Sequence, residues 1–119
     1  MHNKFRRYDE EAKEFLYFDL DNVGQDLVSF ARWGALKTPV QQWTGLKDKY
    51  GHKIYEGDII KTLLARYPFR VTYKLRGLCY EAINEVKGDH GFLFPEYCET
   101  YEVIGNINET APEILEEDF

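Results

Sequence analysis

The sequence predicts a mainly β protein, a small antiparallel barrel or sandwich with an N-terminal hairpin and at most one or two short helices. Three observations carry that prediction. Phe69, Val71, Tyr73 and Leu75 alternate strictly with Arg70, Thr72, Lys74 and Arg76, the period of two that turns one strand face to a core and the other to water. About seven short runs rich in β-branched and aromatic residues are separated by charged or glycine-bearing turns. Aromatic residues make up 16% and hydrophobic residues 44% of 119 residues, ample material for one core.

Taken in order, Lys4–Tyr8 and Glu14–Leu20 flank the charged stretch Asp9–Lys13, a pattern that suits two strands and a polar turn. Phe15, Leu16, Tyr17 and Phe18 are consecutive, so the second strand is expected to bury both faces or to sit where a neighbour covers it. From Asn22 to Trp33, Val23, Leu27, Phe30 and Ala31 follow helical spacing behind an Asn22 cap. Gly24 costs such a helix about 1 kcal/mol, and a strand over Leu27–Ala31 is the alternative. Val40–Thr44 reads as a strand. Beyond it Asp48 can accept from backbone amides ahead of it and Gly51 can take a positive φ, which makes a tight hairpin. Glu56-Gly57-Asp58 supplies the next turn and Ile59–Leu64 the next strand. After the alternating run, Gly77 permits a turn into Leu78–Ile83. Gly88-Asp89-His90-Gly91 reads as a flexible turn, without the Lys-Ser/Thr ending of a phosphate loop. Tyr101–Ile107 is the last strand, with Ile59, Val103 and Ile107 expected to face the core. Pro112–Glu117 forms one acidic helical turn or frays. The whole, 1–119, reads as a single domain: a hairpin and linker region over 1–43, a β-barrel core over 44–108 and an acidic tail over 109–119.

The formal net charge of -6 favours solubility and argues against a surface that binds phosphate backbones everywhere. Its distribution is lopsided. Residues 61–76 carry Lys61, Arg66, Arg70, Lys74 and Arg76 and no acid, whereas 77–119 hold their many acids against the single base Lys87. No apolar run approaches the roughly 20 residues that span a bilayer, and Met1-His2-Asn3-Lys4 is not an apolar leader, so a cytoplasmic protein with no membrane contact is expected. Cys79 and Cys98 form neither a C-x-x-C pair nor a metal spacing and are expected as buried thiols.

The segment Thr44-Gly45-Leu46-Lys47-Asp48-Lys49-Tyr50-Gly51-His52-Lys53-Ile54-Tyr55-Glu56-Gly57-Asp58-Ile59-Ile60 resembles the signature of the YopX family, small proteins typical of phages and prophages of Gram-positive bacteria. Tyr101–Ile107 resembles that family's second block, and Lys4-Phe5-Arg6 with Asp9 its N-terminal block. Residues 62–98 match none of these blocks. The resemblance implies a mainly β fold with a small barrel and an oligomeric tendency. It implies no activity and transfers no catalytic residue.

The residues themselves offer few candidates for chemistry. Asp48, Glu56 and Asp58 are three carboxylates near two turns, but turn chemistry accounts for them better than a metal does. His2, His52 and His90 are far apart without a partner at ligand spacing, so no metal or cofactor is expected. Ser29, the one serine, lacks the glycines of a nucleophile elbow, and neither cysteine has a nearby cation to lower its pKa. Arg66, Arg70, Lys74 and Arg76 form a basic strand face that, with Tyr67, is a candidate for nucleic-acid binding. The competing reading pairs these cations with Glu81 or Glu85 on the neighbouring strand, and it is preferred because the chain is acidic and Phe69 and Tyr73 point the other way.

These readings lead to a non-enzymatic phage or prophage accessory protein that assembles with itself or with a host or phage protein. The alternative is a nucleic-acid-binding small β-barrel using the basic strand face at 66–76. The split charge suggests head-to-tail self-association through the acidic end, which salt or loss of 109–119 would weaken.

Overall fold

The structure, a computed structural model, describes residues 4–19, 32–74, 79–93, 95–110 and 112–117. The expected helix at 22–33 lies outside the described residues except for a helical turn at 32–35, and Leu75 and Arg76 lie outside them entirely. Nine strands are described: β1 (Lys4–Asp9), β2 (Glu14–Asp19), β3 (Gln41–Lys47), β4 (Lys53–Tyr55), β5 (Asp58–Thr62), β6 (Phe69–Lys74), β7 (Cys79–Asn84), β8 (Asp89–Phe92) and β9 (Tyr101–Asn106). Short 3₁₀ helices occupy Pro95–Thr100 and Pro112–Glu116. The chain divides into two compact units, Met1–Trp43 and Thr44–Phe119.

In the first unit β1 and β2 pair antiparallel from Lys4↔Asp19 to Asp9↔Glu14. Asp9 organises the turn between them: its Oδ1 accepts from the Glu11 and Ala12 amides at 3.1 Å, while Oδ2 receives Arg32 Nη2 at 2.7 Å. The Arg32 hydrogen bond, with those amides, holds the Asp9 carboxyl below the usual range. Tyr8 is buried edge-on against Phe15 at 5.1 Å, and the Arg6 guanidinium lies 4.0 Å over Phe15 while its Nε donates to Gln41 Oε1 at 2.7 Å. β1 also pairs with the start of β3 through Phe5↔Gln42 and Arg6↔Gln41. Tyr17 departs from expectation. It is exposed although it shares a face with Phe15, whose ring centroid is 6.1 Å away.

In the second unit the end of β3 neighbours β4, and a five-stranded antiparallel sheet runs β8-β7-β6-β5-β9. Ile60, Phe69, Val71 and Tyr101 form its core face, on which Ile54 of β4 and Leu46 of β3 pack, a two-layer arrangement of the sandwich type. The mainly β, antiparallel expectation therefore holds, but the barrel expected over 44–108 does not form. Both sheets are open, with β2 and β4 at the edges of one and β8 and β9 at the edges of the other. Closing the larger sheet would require β8 to pair with β9. β9 instead gives its outer edge to the β3–β4 turn: Lys49 N donates to Tyr101 O at 3.0 Å, and Val103 N to Asp48 Oδ2 at 3.0 Å.

Three further expectations are corrected. Gly88–Gly91 is not a free turn: the turn occupies 85–88, and Asp89–Phe92 is a strand paired with β7 through Glu81↔Phe92, Ala82↔Gly91, Ile83↔His90 and Asn84↔Asp89. Ile107 does not face the core and is 46% exposed, although Ile59 is buried and Val103 packs on the core cluster. A bulge explains the difference. Ile60 pairs with Val103 but Ile59 with Gly105, so Ile104 is an extra residue, and beyond it Asn106 takes the face on which Tyr101 and Val103 lie. Tyr73 shares a face with Phe69 and Val71 yet is 37% exposed, because at that end of the strand its described ring contact is Tyr80, 5.1 Å away.

Candidate functional site

On the core face of the five-stranded sheet a cleft of ≈ 280 Å³ opens to solvent. Its floor is Ile60, Phe69 and Tyr101, all buried members of the core cluster, and its rim carries Leu64, Phe92 and Tyr97. Small-molecule pockets usually enclose roughly 300–1,000 Å³, so this cleft suits one or two apolar side chains better than a sizeable ligand. The rim is exposed: Leu64 is 64%, Phe92 48% and Tyr97 45% accessible, and Leu63, beside the cleft, reaches 74%.

A chain of hydrogen bonds holds that rim. Thr100 Oγ1 donates to Tyr97 O at 2.6 Å, which uses its single proton. The 2.9 Å contact between Thr62 Oγ1 and Thr100 Oγ1 must then be donated by Thr62, leaving the Thr62 oxygen to accept from Leu64 N at 3.2 Å. Leu63 N also donates to Thr100 O at 3.2 Å. The end of β5 is thereby clasped to the 3₁₀ helix before β9, and Leu63 and Leu64 are left outward. No sequence motif announces this cleft. The one available signal is the pair Leu63-Leu64, which breaks the alternation expected of a strand running on to Leu64.

Of the predicted basic residues, Arg66 and Arg70 have described side chains. Arg70 on β6 is paired with Glu85, the partner that the competing reading named, and this pairing holds the Glu85 carboxyl below its usual range. Arg66 is exposed in the β5–β6 loop. The Lys74 side chain and the whole of Arg76 lie outside the described residues. Tyr67, the candidate stacking ring, is half-buried against Phe69 at 5.5 Å and donates its hydroxyl to Asp89 Oδ2 at 2.6 Å.

Two of the three turn carboxylates, Asp48 and Asp58, are occupied with backbone, and Glu56 is half-buried. Asp48 Oδ1 accepts from Tyr50 N and His52 N at 2.9 Å each. Burial by itself would raise the Asp48 carboxyl, but the amides of Val103, His52 and Tyr50 outweigh it and hold it below the usual range. Asp58 Oδ2 accepts from Tyr55 N at 2.8 Å and fixes the turn into β5. Cys98 is a free thiol pushed up by burial and by the neighbouring Glu99 and Glu96, the opposite of what a thiolate nucleophile requires. The acidic end is anchored: Leu115 is buried, and its carbonyl receives Asn84 Nδ2 at 2.7 Å, while the same amide nitrogen reaches Pro68 O at 2.8 Å.

Fold and cleft together define a mainly β protein of open antiparallel sheets. The chain belongs to the YopX family, whose family model, described as YopX protein, matches residues 21–116. The match takes in the Thr44–Ile60 and Tyr101–Ile107 blocks but begins after β2, so the Lys4–Asp9 block lies outside it. No curated protein matches the chain. Among the described residues, no helix is long and apolar enough to cross a membrane.

Proposed function

We propose that this chain is a phage- or prophage-encoded accessory protein that acts in the bacterial cytoplasm by self-assembly and protein–protein contact rather than by catalysis. The observation that carries the reading is the apolar cleft, whose rim residues Leu64, Phe92 and Tyr97, with Leu63 beside them, are all exposed. Apolar side chains gathered around an opening onto the core are a feature of surfaces that receive another protein. Support comes from Asp48 and Asp58, whose carboxylates are engaged by backbone amides, and from Cys98, whose thiol burial pushes up. The phage origin rests on the family resemblance, and the arrangement of neighbouring genes tests it.

Light scattering coupled to size exclusion is the direct test of self-assembly. A mass above that of one chain is expected at micromolar concentration, and a monomer throughout that range would overturn the reading. Nucleic acid stands second, favoured by exposed Arg66 on the strip that also holds Arg70, Lys74 and Arg76. Titrating fluorescent DNA and RNA at rising salt separates the two, since phosphate binding weakens steeply with salt. Arg70→Glu combined with Lys74→Glu abolishes such binding only if the strip is the site.

A further inference from the structure

We infer that the cleft is one half of a two-fold interface between copies of this chain, in which Leu63 of each copy enters the cleft of the other. The inference rests on the self-assembly reading above and gives it a site and a symmetry. Projection and hole lie side by side on one patch. Leu63 is 74% exposed and does not line its own cleft, whereas Leu64, the next residue, forms the rim. A patch that carries both a knob and the matching hole is self-complementary, and a two-fold axis beside it satisfies both at once. The Thr62–Thr100 clasp fixes both leucines relative to the rim, so little order has to be gained on association.

Charge on the same patch is complementary in the same sense. Arg66, exposed two residues after Leu64, makes no ion pair among the described residues. Glu96 and Glu99 flank the rim around Tyr97 on the 3₁₀ helix and are exposed. In the proposed dimer Arg66 of each copy pairs with those acids of the other, twice across the axis. This arrangement replaces the head-to-tail contact that the charge split suggests, since the described acidic end is tied to its own unit through Leu115 and Asn84. Four apolar side chains are well short of the roughly 800 Å² per partner of a standard interface, so the dimer is a weak one that forms at micromolar concentration.

Sedimentation of the full chain from low to high micromolar concentration tests the proposal, alongside Leu63→Glu, Leu63→Ala and the control Tyr50→Glu. Leu63 and Tyr50 are exposed, so all three variants are expected to keep the parent's thermal melt. The parent should approach twice the chain mass, Tyr50→Glu should match it, and Leu63→Glu should raise the dissociation constant roughly tenfold or more, with Leu63→Ala between them. Hydrogen exchange at 62–65 and 89–92 should slow with concentration in the parent and not in Leu63→Glu. An oligomer that Leu63→Glu leaves intact overturns this interface while self-assembly stands, and mass growing without limit overturns the two-fold. A monomer at every concentration overturns the self-assembly reading along with it.

Discussion

Replacing Asp48 with Asn removes one charge and leaves the side chain's shape almost unchanged, which makes it a sharp probe of what joins the two halves of the second unit. The Asp48 side chain is fully buried, with Oδ1 serving Tyr50 N and His52 N and Oδ2 serving Val103 N. An Asn that keeps its oxygen on the turn must present its NH₂ to the Val103 N–H, donor against donor. Flipped, it satisfies Val103 and deserts both turn amides. Either way at least one hydrogen bond to a buried charge is lost, worth about 1.5–3 kcal/mol, from a domain whose total stability is of the order of 5–15 kcal/mol. Urea unfolding at neutral pH should show that loss, and the melting temperature should fall by about 10 °C. The pH dependence has a fixed sign. A carboxyl held below its usual value stabilises fully above the ordinary carboxylate pKa, near 4, and loses that contribution as pH falls through its folded value. The gap between parent and Asp48→Asn should therefore be present at neutral pH and close below about 4. A gap under about 0.5 kcal/mol at neutral pH, or one that persists undiminished into acid, would refute the account.

Gly105→Ala should cost about 1–3 kcal/mol in thermal or urea melts, because the added Cβ would stand against Thr110 Oγ1 and within 3.0 Å of Thr110 Cβ; a neutral result would mean that Thr110 yields freely. Asn84→Asp should cost about 2–4 kcal/mol and release the acidic end, since a carboxylate cannot donate to Pro68 O and Leu115 O; limited proteolysis after residue 110 measures the release, and unchanged cleavage would count against the anchor. Thr62→Val keeps the volume but removes both hydrogen bonds of that hydroxyl, so a loss of about 1–3 kcal/mol with faster exchange of the Leu64 amide is expected; unaltered exchange would discard the clasp.

What was legible in the sequence was local. The alternation beginning at Phe69 and the turns at Asp48 and Glu56-Gly57-Asp58 lie in short windows, and the strands around them appear within two or three residues of their expected bounds. Asp48 was recognisable as an acceptor for its own turn, but its bond to Val103 spans 55 residues and follows no local rule. β8 was hidden for the converse reason. Asp89-His90-Gly91 has the composition of a turn, and pairing with β7 overrides that preference. The Ile104 bulge is equally silent in the sequence, yet it decides that Asn106 rather than Ile107 shares the face of Val103.

The same division between local and distant runs through the candidate site. The cleft floor draws Ile60 and Tyr101 from the two blocks that carry the family resemblance, and Asp48 ties those blocks together through Val103. The rim draws Leu64, Phe92 and Tyr97 from 62–98, the stretch that resembles none of the blocks. A frame of backbone hydrogen bonds to buried carboxylates can keep its geometry while exposed rim side chains change, because Thr62, Thr100 and main chain tie the rim to the frame. Substitutions at Leu63, Leu64, Phe92 or Tyr97 should therefore alter what the cleft receives at little cost to folding, whereas substitutions at Asp48 or Asp58 should do the reverse.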